Sequence, residues 1–295
     1  MSAICGVISL AGAPPGTALC SRLMRALEKH GPDGKGEWRD PLVFLGHQMM
    51  HTTPESLDEA LPLQHGESQA ALTMEGRLDN RPELLNALGL SETSPQPDSA
   101  LLLKAYLKWG DQSAERLVGE FAFAIWDARR RRLICCTDPM GIRPLFYTVV
   151  RGKYIAFASE VQPLLAMCDR PAQLNDRRLA MLGVSGMSVI LEPETTCFEQ
   201  VYRIPAATVL TIDGCRISSR EYWRPDPANR LNFSSDEECR EAFQDVFFNA
   251  VKSRLRSAFP AASLLSGGLD SSAIASVANH LLESSGQKLM TLSSV

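Results

Sequence analysis

The residues with the clearest chemical potential in this 295-residue chain are Ser266-Gly267-Gly268-Leu269-Asp270-Ser271-Ser272. They follow a short apolar run, Ala262–Leu265, and open an apolar-periodic segment, Ser271–Leu282. That spacing predicts a strand, a tight turn and a helix start. Two glycines let the backbone approach an anion, and the N–H groups after them converge at the positive end of a helix. The serine hydroxyls add donors for phosphate oxygens. Asp270 cannot face a phosphate favourably on its own, so a bridging Mg²⁺ is its natural partner. The pattern G-x-x-x-x-G-K-[ST] is absent and no lysine stands in the turn. An ordinary Gly-rich turn would account for the glycines but not for the whole string.

Cys5 in Cys5-Gly6-Val7 is the second candidate, a thiol on a β-like run, Ile4–Leu10. The eight cysteines, at 5, 20, 135, 136, 168, 197, 215 and 239, form no C-x-x-C pair, so neither a zinc site nor dithiol redox chemistry is indicated. Disulfides are not needed by a chain with 45% hydrophobic residues, and the cytoplasm is the expected compartment. His47, His51 and His65 lack metal-ligand spacing and read as surface or core. The net charge of -4 gives no reason to expect nucleic acid. The basic run Arg129–Arg132 lies between two apolar stretches and reads as a solvated hairpin tip. No apolar run is long enough for a membrane span, and the N-terminus lacks the basic region of a signal peptide.

The elements that must position these groups fall into two textures. Ile4–Leu10, Leu42–Gly46, Ala70–Met74, Phe121–Trp126, Leu133–Thr137, Leu145–Val150, Tyr154–Ala158 and Thr208–Ile212 read as strands, and Asp213-Gly214 as a hairpin turn before Cys215–Ser219. Ala18–Lys29 and Ser99–Trp109 have helical spacing. Asn80 reads as the cap of a helix that carries Pro82 in its first turn and ends at Gly89. This predicts an α+β domain over 1–220, with stacked antiparallel sheets flanked by helices. A polar, proline-bearing linker follows over 221–234. Residues 235–295 begin with a capping-box-like helix start at Ser235, run to about Leu255, and continue into a βαβ unit ending in the strand Lys288–Leu292. That is the opening of a parallel α/β domain, expected to be incomplete because one βαβ unit closes no core.

The turn at Ser266–Ser272, with Leu264-Leu265 before it, resembles the pyrophosphate loop of the N-type ATP pyrophosphatases. Gly119-Glu120-Phe121-Ala122-Phe123-Ala124-Ile125-Trp126-Asp127, Asp138-Pro139-Met140-Gly141-Ile142-Arg143-Pro144-Leu145-Phe146-Tyr147 and Phe157-Ala158-Ser159-Glu160 are similar to the glutamine-hydrolysing asparagine synthetases and their relatives. The resemblance covers essentially the whole chain. It implies an N-terminal-nucleophile amidotransferase domain followed by an ATP-binding domain, with ATP and Mg²⁺ as cofactors. A carboxylate substrate, small-molecule or peptide, would be adenylated with release of pyrophosphate and then converted to an amide. On this resemblance Leu264, Leu265, Ser266, Gly267, Gly268, Leu269, Asp270, Ser271 and Val295 contact ATP, and Asp270 binds the metal. Gly76 and Asp98 contact glutamine, and Cys5 is the catalytic nucleophile. A homodimer or a separate synthetase polypeptide is the expected protein partner.

Several positions depart from the family pattern. The family's nucleophile is residue one and uses its own α-amino group as base. Here Met1–Ile4 precede Cys5, whose nitrogen is an amide and cannot act as a base unless those residues are removed, as propeptides are in some relatives. Met49 matches an arginine that grips the glutamine carboxylate, and losing that pair forfeits about 1.5–3 kcal/mol. Glu75 matches an oxyanion-hole asparagine, where a carboxylate repels the developing charge. His30 stands where the family has arginine. These departures resemble the β-lactam synthetase and lasso-peptide cyclase branch, in which a substrate amine replaces ammonia. The expectations are therefore an asparagine-synthetase-like amidoligase with glutamine as nominal donor, a glutaminase-dead relative of it, or a non-catalytic partner-binding scaffold.

Overall fold

A computed structural model describes residues 1–91, 95–185, 191–284 and 286–294 of the chain. It divides into two compact units: Met1–Met50 with Asp58–Arg224, and His51–Leu57 with Pro225–Val295.

The first unit is a sandwich of two six-stranded antiparallel sheets. One sheet has the order β10-β8-β9-β1-β3-β2, built from Val201–Ile204, Leu145–Val150, Tyr154–Ala158, Ala3–Ser9, Val43–Met49 and Gly34–Arg39. The other has the order β12-β11-β7-β6-β5-β4, built from Arg216–Glu221, Thr208–Asp213, Arg132–Thr137, Gly119–Asp127, Ala70–Leu78 and Leu63–His65. Helix α1 (Thr17–Ala26) and the short α4 (Val161–Leu165) pack outside the first sheet; α2 (Arg81–Leu88) and α3 (Asp98–Trp109) pack outside the second. A fifth helix, α5, spans Asp176–Ser185. The order helix–sheet–sheet–helix gives three apolar cores, and strand alternation decides which residue enters which.

On β1, Ile4 and Ile8 enter the core between the sheets with Val43, Leu45, Trp126 and Phe157. Ala3, Cys5 and Val7 point the other way, into the core under α1 with Cys20, Leu23 and Met24. Trp126 fits between the sheets because Ala71, Ala122 and Ala124 leave room around it. Gly6 does the same for Phe157, whose ring lies where a Cβ would stand.

Most of the expected elements are present, with ends that differ by up to four residues, as where β5 runs on from Met74 to Leu78. Of the expected tip Arg129–Arg132, the first three arginines are at the surface, whereas Arg132 lies on β7, half-buried in an ion pair with Asp111 at 2.6 Å. Gly89 ends α2 with φ +71. Two expectations change. Asn80 does not cap α2 with its side chain. Its amide instead donates to the Arg116 carbonyl at 2.9 Å and accepts from the Val118 N–H at 2.9 Å, tying two loops together. The strand after Asp213-Gly214 starts at Arg216, because Gly214 (φ +56) and Cys215 both form the turn. β2, β4, β10, α4 and α5 went unpredicted.

The second unit carries α6 (Asp236–Arg254), β13 (Ala262–Leu264), α7 (Leu269–Glu283) and β14 (Met290–Leu292). Ser235 caps α6 by accepting the Glu238 N–H at 3.2 Å, while the Glu238 carboxylate reaches back to the Ser234 N–H at 2.6 Å. β13 and β14 pair in parallel, with Ala262 opposite Met290, and α7 is the crossover. His51–Leu57 joins this unit through the Ala258 N–H to Thr52 O bond at 2.9 Å and the Arg256–Glu55 ion pair at 2.7 Å. Among its described apolar side chains Val251 and Ala278 are buried, whereas Leu264, Leu269, Phe243, Val246, Met290 and Leu292 are largely exposed. No described helix is long and apolar enough to cross a membrane.

Candidate functional site

Cys5 lies in the middle of a sheet, paired with Gly46 of β3 and Ala158 of β9. Its side chain is fully buried and its Sγ is 3.6 Å from Met24 Sδ. Burial, with Cys20 and Glu37 nearby, pushes the thiol well above its usual range. A thiol held protonated in an apolar core is a poor nucleophile. Its nitrogen belongs to the Ile4–Cys5 peptide bond, which runs as ordinary strand.

The polar groups at this end of the sandwich gather on the opposite face of β1. Glu75, near the end of β5, points between the sheets and is 3% exposed. Its Oε2 accepts from Ser159 Oγ at 2.7 Å, and its Oε1 lies 3.6 Å from Arg143 Nη1. Ser159 follows β9 and accepts the Ile4 N–H at 2.9 Å. Arg143 also pairs with Glu120 at 3.2 Å and touches the Met1 sulfur.

The segment Asp138–Pro144 explains how Arg143 gets there. Buried Asp138 accepts three backbone N–H groups, from Met140 at 3.0 Å, Ile142 at 3.1 Å and Arg143 at 2.9 Å. Gly141 supplies the left-handed turn with φ +63. The loop is thereby wound around one carboxylate, and Arg143 projects from its end. Sequence reading singled out this string for its resemblance but assigned no role to Asp138, Arg143 or Ser159. A buried aspartate followed at two, four and five residues by its N–H donors is the signal that could have found the loop.

Burial raises the Glu75 carboxyl above its ordinary value, while the Ser159 hydrogen bond and the charges of Arg143, His30 and the N-terminus pull it down; the net shift is upward. The folded state therefore binds this proton more tightly than the unfolded state, whose carboxyl titrates at about 4.3. The contribution to stability is complete below that value and is lost as pH rises through the folded pKa. Glu75→Gln removes that dependence. Denaturant midpoints at a series of pH values between about 4 and 7 should diverge between the two proteins, with the wild type losing ground as pH rises.

The two residues expected to contact glutamine have backbone and ion-pair duties. Gly76 has φ +123, and a Cβ there would stand deep inside contact with the Glu120 carbonyl oxygen of β6. Asp98, at the start of α3, is buried, pairs with Arg81, and accepts the Leu78 N–H at 2.8 Å. Arg81 is fixed in turn by the Gln96 carbonyl at 2.8 Å. Met49 is buried on β3. His30 pairs with Glu160 at 2.8 Å and Lys29 joins the same carboxylate at 2.9 Å. Burial alone would raise the Glu160 carboxyl, but those two partners outweigh it and hold it below its usual value. His47 is buried against Thr73 Oγ1 at 3.2 Å, and the His65 ring accepts the Ser68 N–H at 3.3 Å.

In the second unit Ser266–Gly268 forms the turn and α7 begins at Leu269. Gly267 has φ +81 with open space where a side chain would be, and Gly268 meets only the Ser266 hydroxyl. The Ser266 and Ser271 hydroxyls lie 2.9 Å apart, and Ser271 Oγ also accepts the Ser266 N–H at 3.3 Å. No side chain caps the first turn of α7, so its N–H groups face solvent at an exposed helix end. Leu264 is exposed and Leu265 is half-buried beside it. Asp270 lies in the first turn. Among the described residues no cluster of three or more His, Cys, Asp or Glu forms a metal cage. Val295 lies outside the described residues.

A cavity of about 930 Å³ opens in the first unit, lined by Tyr147, Tyr202, Arg203 and Ser218 among others. None of the residues expected to hold glutamine or nucleotide lines it. All eight cysteines are free thiols.

Two stacked antiparallel sheets flanked by helices on both sides are the N-terminal-nucleophile sandwich of the amidotransferases. The chain belongs to the glutamine amidotransferase domain family, which matches residues 1–223, and residues 242–294 match the asparagine synthase family. It is 30% identical over 272 residues to asparagine synthetase [glutamine-hydrolyzing] 3 of Bacillus subtilis, covering 90% of this chain and 43% of that one. It is also 30% identical over 266 residues to the amidase chyE of Penicillium rubens, covering 88% of this chain and 38% of that one. The chain thus spans about two fifths of the length of these relatives. The same fold is seen in glutamine phosphoribosylpyrophosphate amidotransferase from B. subtilis, with a TM-score of 0.51 and 15% identity over 99% of this chain and 65% of that one.

Proposed function

We propose that this protein acts in ATP-dependent amide formation of the asparagine-synthetase type, and that its amidotransferase unit does not release ammonia from glutamine. The observation that carries the second part is the state of Cys5. Its nitrogen is bonded to Ile4, its thiol faces the α1 core, and the polar groups of the sandwich end lie on the other face of β1. A nucleophile without a base and without access to the polar face performs no acyl transfer. The acceptor amine would come from the substrate itself or from another source of nitrogen.

The turn at α7 fits a pyrophosphate. It offers two unobstructed glycines, two hydroxyls and an uncapped helix N-terminus, and one carboxylate beside them suits Mg²⁺, which is commonly held by one or two carboxylates together with substrate phosphates. Ser266, Gly267, Gly268, Leu269 and Ser271 would hold the phosphates, Asp270 the metal, and Leu264 and Leu265 would border the adenine. Val295 belongs to the same expected set. ATP supplies activation of a carboxylate with loss of pyrophosphate, and the role of this chain's own groups is to bind and orient the phosphates. The carboxylate substrate is a small molecule or a peptide, and the setting is the cytoplasm. The exposed apolar surface of β13, β14 and α6 suits cover by further strands and helices of an asparagine synthase domain, since parallel sheets are buried on both faces.

Titrating Mg-ATP or pyrophosphate into the protein should shift the backbone amide resonances of Gly267, Gly268 and Asp270. Ser271→Ala should weaken that binding by about tenfold or more, as expected for losing a hydrogen bond to a charged group. Binding with no change at the turn, or an unaltered affinity in the variant, contradicts the assignment.

A further inference from the structure

Of the four residues before Cys5, Ala3 and Ile4 already belong to β1, and Met1 and Ser2 reach Met50 just beyond β3. Ala3 and Ile4 are buried and pair with Gln48 and His47 of β3. Ser2 Oγ donates to the Met50 carbonyl at 3.2 Å, and the Met50 N–H returns a bond to Ser2 Oγ at 3.0 Å. The Met1 ammonium lies 3.0 Å from Met50 Sδ, and its own sulfur meets Arg143. The Ile4 N–H donates to Ser159 Oγ, the Ser159 N–H donates to the Ile4 carbonyl at 3.0 Å, and Ser159 Oγ donates to Glu75. Three separate places therefore hold these four residues, the end of β3, the Asp138–Pro144 loop and Ser159 after β9, while Glu75 and Glu120 bear on them through Ser159 and Arg143.

Glu75 is an acidic group buried where it must be compensated. Its compensation comes from Ser159 and Arg143, both of which also touch the N-terminal segment. Arg143 is enclosed enough that its Nε is buried, with no hydrogen-bond partner among the described residues. Its guanidinium, half-buried, is shared between Glu75 and Glu120.

We propose that Met1–Ile4 is a resident strap that closes this end of the sandwich, and that Ser159, Glu75 and Arg143 are its latch. This inference rests on the reading that the amidotransferase unit is silent, and it adds that the polar end of the sandwich serves the chain's own N-terminus instead of a free ligand. On this account the strap is not a propeptide awaiting removal. Ser159 is its central tie, because one hydroxyl accepts from the strap backbone and donates to the buried carboxylate. Glu75 orients that hydroxyl, and Arg143 holds Glu75 while covering Met1.

Hydrogen exchange in the full chain separates the strap from the strand. Ser159→Ala removes the acceptor of the Ile4 N–H, and exchange at Ile4 should become about tenfold faster, the factor expected for one lost hydrogen bond. Exchange at Ile8, deeper in β1, should stay at the wild-type rate. Trimming of Met1, Ser2 and Ala3 by an aminopeptidase should accelerate in the same variant, and Arg143→Leu should produce the same pattern more weakly. Unchanged exchange at Ile4 in Ser159→Ala overturns the latch. Equal acceleration at Ile4 and Ile8 overturns the strap as a separable element. Glutamate release measured on the same samples reads the parent proposal independently: release by the wild type refutes the silent amidotransferase whatever the exchange rates show.

Discussion

Asp98→Ala destabilises the first unit by about 3–5 kcal/mol, the cost of breaking a buried ion pair by removing one partner. Asp98 and Arg81 are both nearly inaccessible, and the carboxylate also holds the Leu78 N–H where β5 ends. Removing it takes a buried carboxylate away from the Arg81 guanidinium, which also donates to the Gln96 carbonyl, and loosens the junction of β5, α2 and α3. The measurement is straightforward because all four tryptophans, at 38, 109, 126 and 223, lie in the first unit. Their fluorescence in a urea titration reports that unit alone. Asp98→Asn, which keeps an acceptor for Leu78 but loses the charge, should fall between the wild type and the alanine variant. A residue whose main duty was to contact a free amino acid would show little loss of stability on either change.

Gly76→Ala should cost about 3 kcal/mol or more, from two sources that add at one position. The backbone there has φ +123, a conformation that side chains rarely adopt, and the Glu120 carbonyl of β6 occupies the place of the Cβ. β5 and β6 are the longest paired strands of the second sheet, from Ala70 opposite Asp127 to Leu78 opposite Gly119. A displaced Gly76 would disturb that ladder near Glu75 and so reach the cluster around Ser159. The urea midpoint should fall sharply, while Gly12→Ala, at φ +75 but with open space around it, tests conformational strain without the clash. Equal losses at the two positions would show that close approach to Glu120 contributes nothing.

These two residues illustrate what the sequence could and could not reveal. Their identity as special positions was legible only through the resemblance, which matches both to glutamine contacts. The packing and ion-pair contacts they also make were not. Arg81 is seventeen residues from Asp98, and Glu120 is forty-four from Gly76, so the partners become neighbours only when β5, β6, α2 and α3 assemble. Strands with apolar alternation or continuous burial, such as Phe121–Trp126, were readable from pattern alone. β2 was not, because Gly34–Arg39 is polar and lies at a sheet edge with much of its length exposed. The turn at Ser266–Ser271 was readable because its chemistry is local: glycines, hydroxyls and a helix start within one short segment.

Cys5 shows the limit most clearly. Its type and its place on a strand were evident, and so was the amide at its nitrogen. Which face of the strand it occupies follows from register, since Ile4 and Ile8 pack between the sheets and Cys5 must then face α1. That parity separates the thiol from Glu75, Ser159 and Arg143 by the thickness of the sheet.

The most direct test of this account joins two readings of one preparation: the mass of the mature N-terminus and the glutamate released from glutamine. The account predicts a chain that retains Ser2 through Ile4, releases no glutamate above background, and is unaltered in that assay by Cys5→Ala. A chain that begins at Cys5 and releases glutamate, with the release abolished by Cys5→Ala, would contradict it.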